Sequence, residues 1–81
     1  MDKLKNSLIE LSAFDYENID SIRSNLSNAV GYIPTDKEIS DALVELNKKG
    51  CINFYKYNQT RQQFELVPEN KSYTNELWFM S

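Results

Sequence analysis

At Gly50 the apolar spacing of this chain changes period. Before it, Ile39, Ala42, Leu43 and Leu46 recur at i, i+3, i+4 and i+7, the stripe of an amphipathic helix. After it, Cys51 to Tyr57 is rich in aromatic and β-branched residues and reads as a strand. A glycine at the junction supplies the left-handed conformation that ends a helix, and Lys48 and Lys49 just before it complement the helix dipole. Helices therefore come first and short strands last. In 81 residues that order predicts one α+β domain over residues 1–81, with a thin core and no room for a deep substrate cavity.

The spacing predicts a first helix over about 2–13, with Leu4, Leu8 and Leu11 on one face. Ile9 falls off that face, to be either covered by the C-terminal segment or exposed. Phe14, Asp15 and Tyr16 form a break. A second helix over about 17–29 has Ile19, Ile22, Leu26 and Val30 on one stripe, and Glu17, Ser21, Ser24 and Asn28 on a polar face. Gly31 to Pro34 make a turn. The third helix, about 35–49, opens with Thr35-Asp36-Lys37-Glu38, a capping box in which the Thr35 hydroxyl accepts from the Glu38 amide and the Glu38 carboxylate reaches back. Strands follow over about 51–57, 63–67 and 76–80, with a polar turn from Asn58 to Gln62 and a polar connector from Glu69 to Asn75.

Composition excludes more than it assigns. Histidine is absent, which removes the usual general base and the commonest zinc ligand, and two glycines make no phosphate-binding loop. The expectation is no enzyme, no catalytic residue, no metal and no cofactor. Asp15-Tyr16-Glu17-Asn18-Ile19-Asp20 has a loose calcium-loop spacing. Its sixth position is Asp20 rather than glycine and its twelfth is Leu26 rather than glutamate, so acids complementing a helix N-terminus explain it better. Cys51 is alone, which rules out an internal disulfide, and it reads as a small buried hydrophobe. The sequons at Asn25, Asn58 and Asn70 read as chance matches in an Asn-rich chain. No apolar run is long enough for a secretion signal or a membrane span, so a cytoplasmic protein without a membrane partner is the default.

Charge is segregated within a net −3: nine acids against four bases over residues 1–46, but three against five over 47–81. Phosphate contacts supply most nucleic-acid affinity, so an acidic helical half argues against broad DNA binding while the basic hairpin keeps it open.

The succession of helix, break with Tyr16, helix, the Ala42-Leu43-Val44-Glu45-Leu46 helix running into Lys49-Gly50-Cys51-Ile52, and the closing Glu76-Leu77-Trp78-Phe79 resembles small single-domain bacterial winged-helix proteins of unassigned role. The resemblance covers nearly the whole chain at the level of pattern. It implies a winged-helix fold and carries over no functional residue.

Two surfaces are candidates for a partner. Seven of the ten aromatics lie from Phe54 onward. Strand alternation puts Ile52 and Phe54 on one face and Tyr55 and Tyr57 on the other, while Phe64 and Leu66 share a face, as do Trp78 and Met80. Only one sheet face can rest on the helices. Tyr55, Tyr57 and Trp78, near Arg61 and Lys56, are thus expected on the other. Such residue types dominate protein interfaces, and they also suit stacking on single-stranded nucleic acid. Alternatively, Trp78 and the tyrosines close a small secondary core over the first helix and Ile9. The second surface is the exposed face of the third helix, where winged helices read duplex DNA. Lys37, Ser40 and Val44, with Arg61 of the wing, would form it, although Asp41 and Glu45 beside them would repel phosphate. The sequence reading is a protein-binding module of inhibitor or immunity type, with homodimerisation through the aromatic face as one form. Its alternative is a homodimeric DNA-binding regulator.

Overall fold

In the computed structural model, which describes residues 2–68, 73 and 76–81, the three apolar stripes become α1 (Lys3–Leu11), α2 (Ile19–Val30) and α3 (Asp36–Lys48). The strands are β1 (Asn53–Asn58), β2 (Gln63–Val67) and β3 (Trp78–Met80), in the order β2-β1-β3, antiparallel throughout. Three helices followed by a three-stranded antiparallel sheet make an α+β fold laid out like a winged helix. The polar connector read over 69–75 lies, apart from Tyr73, outside the described residues.

Each helix starts where a side chain can satisfy its free amides. The Asp2 carboxylate accepts from the Lys5 amide at 2.9 Å. Thr35 and Glu38 form the reciprocal capping box, each contact 3.1 Å. α2 begins at Ile19, two residues later than its spacing suggests, for a physical reason. Asn18 caps it by accepting from the Ser21 amide at 2.7 Å, while the Glu17 backbone is committed to the sheet. The Glu17 amide donates to the Phe79 carbonyl at 2.9 Å and the Phe79 amide donates back at 2.7 Å. The break at residues 14–16 therefore leads into a one-residue extension of the sheet beside β3.

Other boundaries shift for equally specific reasons. α1 stops at Leu11 because Ser12 turns its hydroxyl back onto the Leu8 carbonyl, 2.7 Å away, and its own carbonyl accepts from the Ser81 amide at 3.0 Å. Cys51 and Ile52 are not yet strand. Both amides still donate to the Leu46 carbonyl, at 2.9 and 3.4 Å, while Gly50 takes the left-handed φ of 76°. The Asn47 side-chain amide bonds the Ile52 carbonyl at 2.9 Å and locks this junction.

The core forms where the helical stripes meet one face of the sheet. Leu8, Ile22, Leu26, Ile39, Leu43 and Leu46 are buried with Ile52, Phe54, Leu77 and Phe79. At about 1.5–3 kcal/mol per fully buried side chain of this size, this cluster dominates folding. Tyr73 lies against Phe54 and Phe79, with ring centroids 5.5 and 5.8 Å away, and its hydroxyl donates to the Leu77 carbonyl. Ile9 is half-buried against the core, and its carbonyl accepts from the Ser81 hydroxyl at 2.9 Å, so the C-terminal segment does cover this part of α1. Cys51 is half-buried at the core's edge. Surface ion pairs then tie helix to helix: Lys5 of α1 to Glu45 of α3, and Arg23 of α2 to Asp36 of α3 at 2.8 Å.

Candidate functional site

With Phe54 and Phe79 turned to the helices, strand alternation turns Tyr55, Tyr57 and Trp78 away from them. Register completes this outer face: Tyr57 sits opposite Phe64, and Tyr55 sits between Leu66 on one side and Trp78 on the other. Tyr16 joins from the α1–α2 connection. Because Glu17 is held beside Phe79, the preceding residue reaches over the outer face, and its ring stacks on Phe64 at a centroid distance of 3.8 Å and 14° between planes. The same ring meets Tyr55 edge-on at 4.9 Å. Phe64 in turn meets Tyr57 at 5.0 Å and Trp78 at 5.6 Å, both edge-on. Offset and edge-to-face arrangements like these are the favourable ones for aromatic quadrupoles.

The result is a five-ring layer on the sheet face opposite the core. Tyr16, Tyr55, Phe64 and Trp78 are each half-buried by their neighbours, whereas Tyr57 is 41% and Leu66 65% exposed. Open grooves flank Tyr57. One is lined by Lys56, Gln59, Phe64, Glu76 and Trp78, the other by Glu65, Leu66, Val67 and Pro68. Arg61 stands exposed on the wing turn, where its amide donates to the Asn58 side chain at 3.1 Å and Gln62 takes a left-handed φ of 52°.

The structure thus brings Tyr55, Tyr57 and Trp78 together, with Arg61 at the tip of the same hairpin. The secondary-core alternative is corrected in its partners. The rings close over one another through Tyr16 and Phe64, not over α1 and Ile9, because the sheet itself separates them from the helices. Nothing in the sequence marks Tyr16 as part of this face. It lies in a break without periodicity, and only the Glu17–Phe79 pairing brings it to this face.

The α3 surface is arranged differently from the expectation. Val44 is half-buried against the core rather than central to an exposed face; α1 lies on this side of α3, where its Lys5 pairs with the adjacent Glu45. Ser40 is also half-buried, with its hydroxyl 3.4 Å from the Tyr73 carbonyl. Lys37 is exposed and paired with Asp41 at 2.8 Å, the expected i, i+4 partner. Glu45 bonds Lys5 first and Lys49 second, and these cations hold its carboxyl below the usual carboxylate range. Lys37 and Arg61 lie on different elements, and neither Ser40 nor Val44 projects freely beside them.

Burial pushes the Tyr73 phenol up to about 12, which keeps it a neutral hydrogen-bond donor inside the core. Among the described residues no group of three or more Cys, Asp or Glu side chains converges in a way that could hold a metal ion. Among the same residues no helix is long and apolar enough to cross a membrane. No family model, curated protein or solved structure matches this chain.

Proposed function

We propose that this chain is a non-enzymatic protein-binding module of the inhibitor or immunity type, working in the bacterial cytoplasm, which engages another protein through the outer face of its sheet. The supporting observation is the five-ring layer itself. Tyr16, Tyr55, Phe64 and Trp78 pack against one another and present Tyr57 and Leu66 outward, with Arg61 exposed on the turn of the same hairpin. Rigid aromatic anchors lose little entropy on binding and are the residues on which interface energy concentrates. The DNA-reading alternative has less support, since of its residues Lys37 is paired, Ser40 is half-buried beside a backbone carbonyl and Val44 packs on the core.

Quantitative affinity capture from native lysate tests the reading, comparing wild-type chain with Tyr57→Ala and Arg61→Ala. Both variants should stay folded and lose the captured partner, each weakening binding by about 2 kcal/mol or more if the residue is an anchor. Capture undiminished in both would refute the face. In parallel, a salt titration against generic duplex DNA gauges the alternative, because counterion release would make any such binding fall steeply with salt.

A further inference from the structure

The two edges of the sheet are treated unequally. On the β3 side, Phe79 exchanges its amide and carbonyl with Glu17, at 2.7 and 2.9 Å, and Ser81 donates to Ser12 at 3.0 Å. That edge is closed. On the other side, β2 has no partner strand beyond β1 among the described residues.

The register fixes which groups the open edge presents. In an antiparallel ladder, residues alternate between pairs that exchange both backbone bonds and pairs that turn those groups outward. Phe79 spends its groups on Glu17, so the Phe54–Phe79 pair is of the second kind and Phe54 turns its amide and carbonyl towards β2. Phe54–Val67, Lys56–Glu65 and Asn58–Gln63 are then the bonded pairs of the hairpin. Tyr57–Phe64 and Tyr55–Leu66 are the others, which leaves the backbone groups of Phe64 and Leu66 pointing away from the sheet. Between them stands Glu65, exposed on the opposite face, where its carboxylate accepts from the Asn58 side chain. Among the described residues no Lys or Arg forms an ion pair with it.

We propose that this edge of β2 docks an extended segment of another protein in antiparallel pairing, and that the segment carries a basic residue flanked by apolar ones. This deepens the protein-binding reading and rests on it. The new strand would bond the backbone of Phe64 and Leu66. Its residues opposite these two would extend the aromatic layer, covering the exposed Leu66, and the residue between them would face Glu65 in the closer, non-bonded kind of pair, where a cation is favoured. Tyr55-Lys56-Tyr57 of β1 meets the same requirements from the other side of β2. A second copy of the chain fits worse. Pairing β2 with β2 so that Phe64 bonds Leu66 sets two Glu65 carboxylates directly opposite each other, and opposed like charges destabilise a sheet.

The test is an amide NMR titration of the whole chain with a blocked hexapeptide of the β1 sequence (residues 53–58), together with the same peptide carrying Glu in place of its Lys. The Lys peptide should shift the Phe64 and Leu66 amides and slow their hydrogen exchange. The Glu peptide should bind about fivefold more weakly. Leu66→Pro removes an outward amide that β1 does not use and should abolish binding. If that variant fails to fold, a peptide N-methylated at its bonding positions, added to wild-type chain, must fail to bind instead. No response of these amides at millimolar peptide would overturn the proposal. So would equal binding of the Lys and Glu peptides with shifts confined to Tyr55, Tyr57 and Trp78, a result that leaves the aromatic face standing as a protein-binding surface. Protection of the two amides by self-association without peptide would assign the edge to a second copy and overturn it as well. Conversely, peptide pairing in a chain whose partner capture ignores Tyr57→Ala and Arg61→Ala would retain the edge and remove the face.

Discussion

Phe64 is the hub of the outer layer, and its coupling to Tyr16 can be measured. Phe64 makes three ring contacts and Tyr16 two, with one contact shared between them. At about 0.5–1.5 kcal/mol per aromatic pair beyond burial, Phe64→Leu should cost roughly 1.5–4.5 kcal/mol and Tyr16→Leu roughly 1–3 kcal/mol, leucine preserving much of the apolar volume. The double variant loses the shared stack only once. It should therefore be less destabilised than the sum by about 1 kcal/mol, the free energy of the single 3.8 Å contact. A domain of this size has on the order of 4–12 kcal/mol of stability, so the effect is large enough to read by urea unfolding. Equal m-values across the four chains are the check on a common unfolded state. Coupling below about 0.3 kcal/mol, the scatter of independent sites, would refute the view that Tyr16 is packed into the layer and that the layer is rigid before any partner arrives.

Three further outcomes are expected. Leu43 is fully buried, so Leu43→Ala should lower unfolding free energy by about 2–5 kcal/mol; a loss under 1 kcal/mol would mean that its side of the core is loose. The Glu45 carboxyl is held low by Lys5 first and Lys49 second, so its contribution is present above the unfolded value of 4.5 and lost as pH falls through the lower folded value. Glu45→Gln should accordingly flatten the acid limb of urea midpoint against pH, and an unchanged limb would show the pairs to be idle. Tyr73 has its phenol raised to about 12 from 10.0 by burial; because the unfolded chain releases that proton first, stability should fall between about pH 10 and 12. A late step in the ultraviolet titration should vanish in Tyr73→Phe, and its persistence would assign it to another tyrosine.

Much of the fold was legible in the chain, and for identifiable reasons. The Ile39-Ala42-Leu43-Leu46 stripe, the Thr35–Glu38 box and the left-handed Gly50 state one element at three levels, and α3 falls within one residue of its expectation at both ends. The helix boundaries at Ser12 and Glu17 differ from the spacing because a distant backbone group competes, and β1 starts late because nearby Leu46 holds the Cys51 and Ile52 amides. Glu17 looks like the first residue of a helix, but Phe79, 62 positions later, takes both its backbone bonds. The same long-range pairing hides Tyr16, since a lone aromatic in a break has no period to betray its direction. Tyr55, Tyr57 and Trp78 were legible as a face because alternation along each strand is local. Which face Phe64 and Leu66 share was not, because it depends on register, and register is set across the hairpin. The burial of Val44 is not legible on a helical wheel. Its exposure depends on how much of α3 the neighbouring elements cover, and no property of α3 alone supplies that.

The closed edge has a consequence for the order in which the domain folds. Residues 17 and 79 are 62 positions apart, so the helices can form from local contacts while the slot beside β1 is still empty and Phe54 lacks its covering neighbour. Non-local pairing of this kind slows folding relative to helix formation, so the docking of β3 between β1 and Glu17 is expected to follow the helices and to join them to the hairpin.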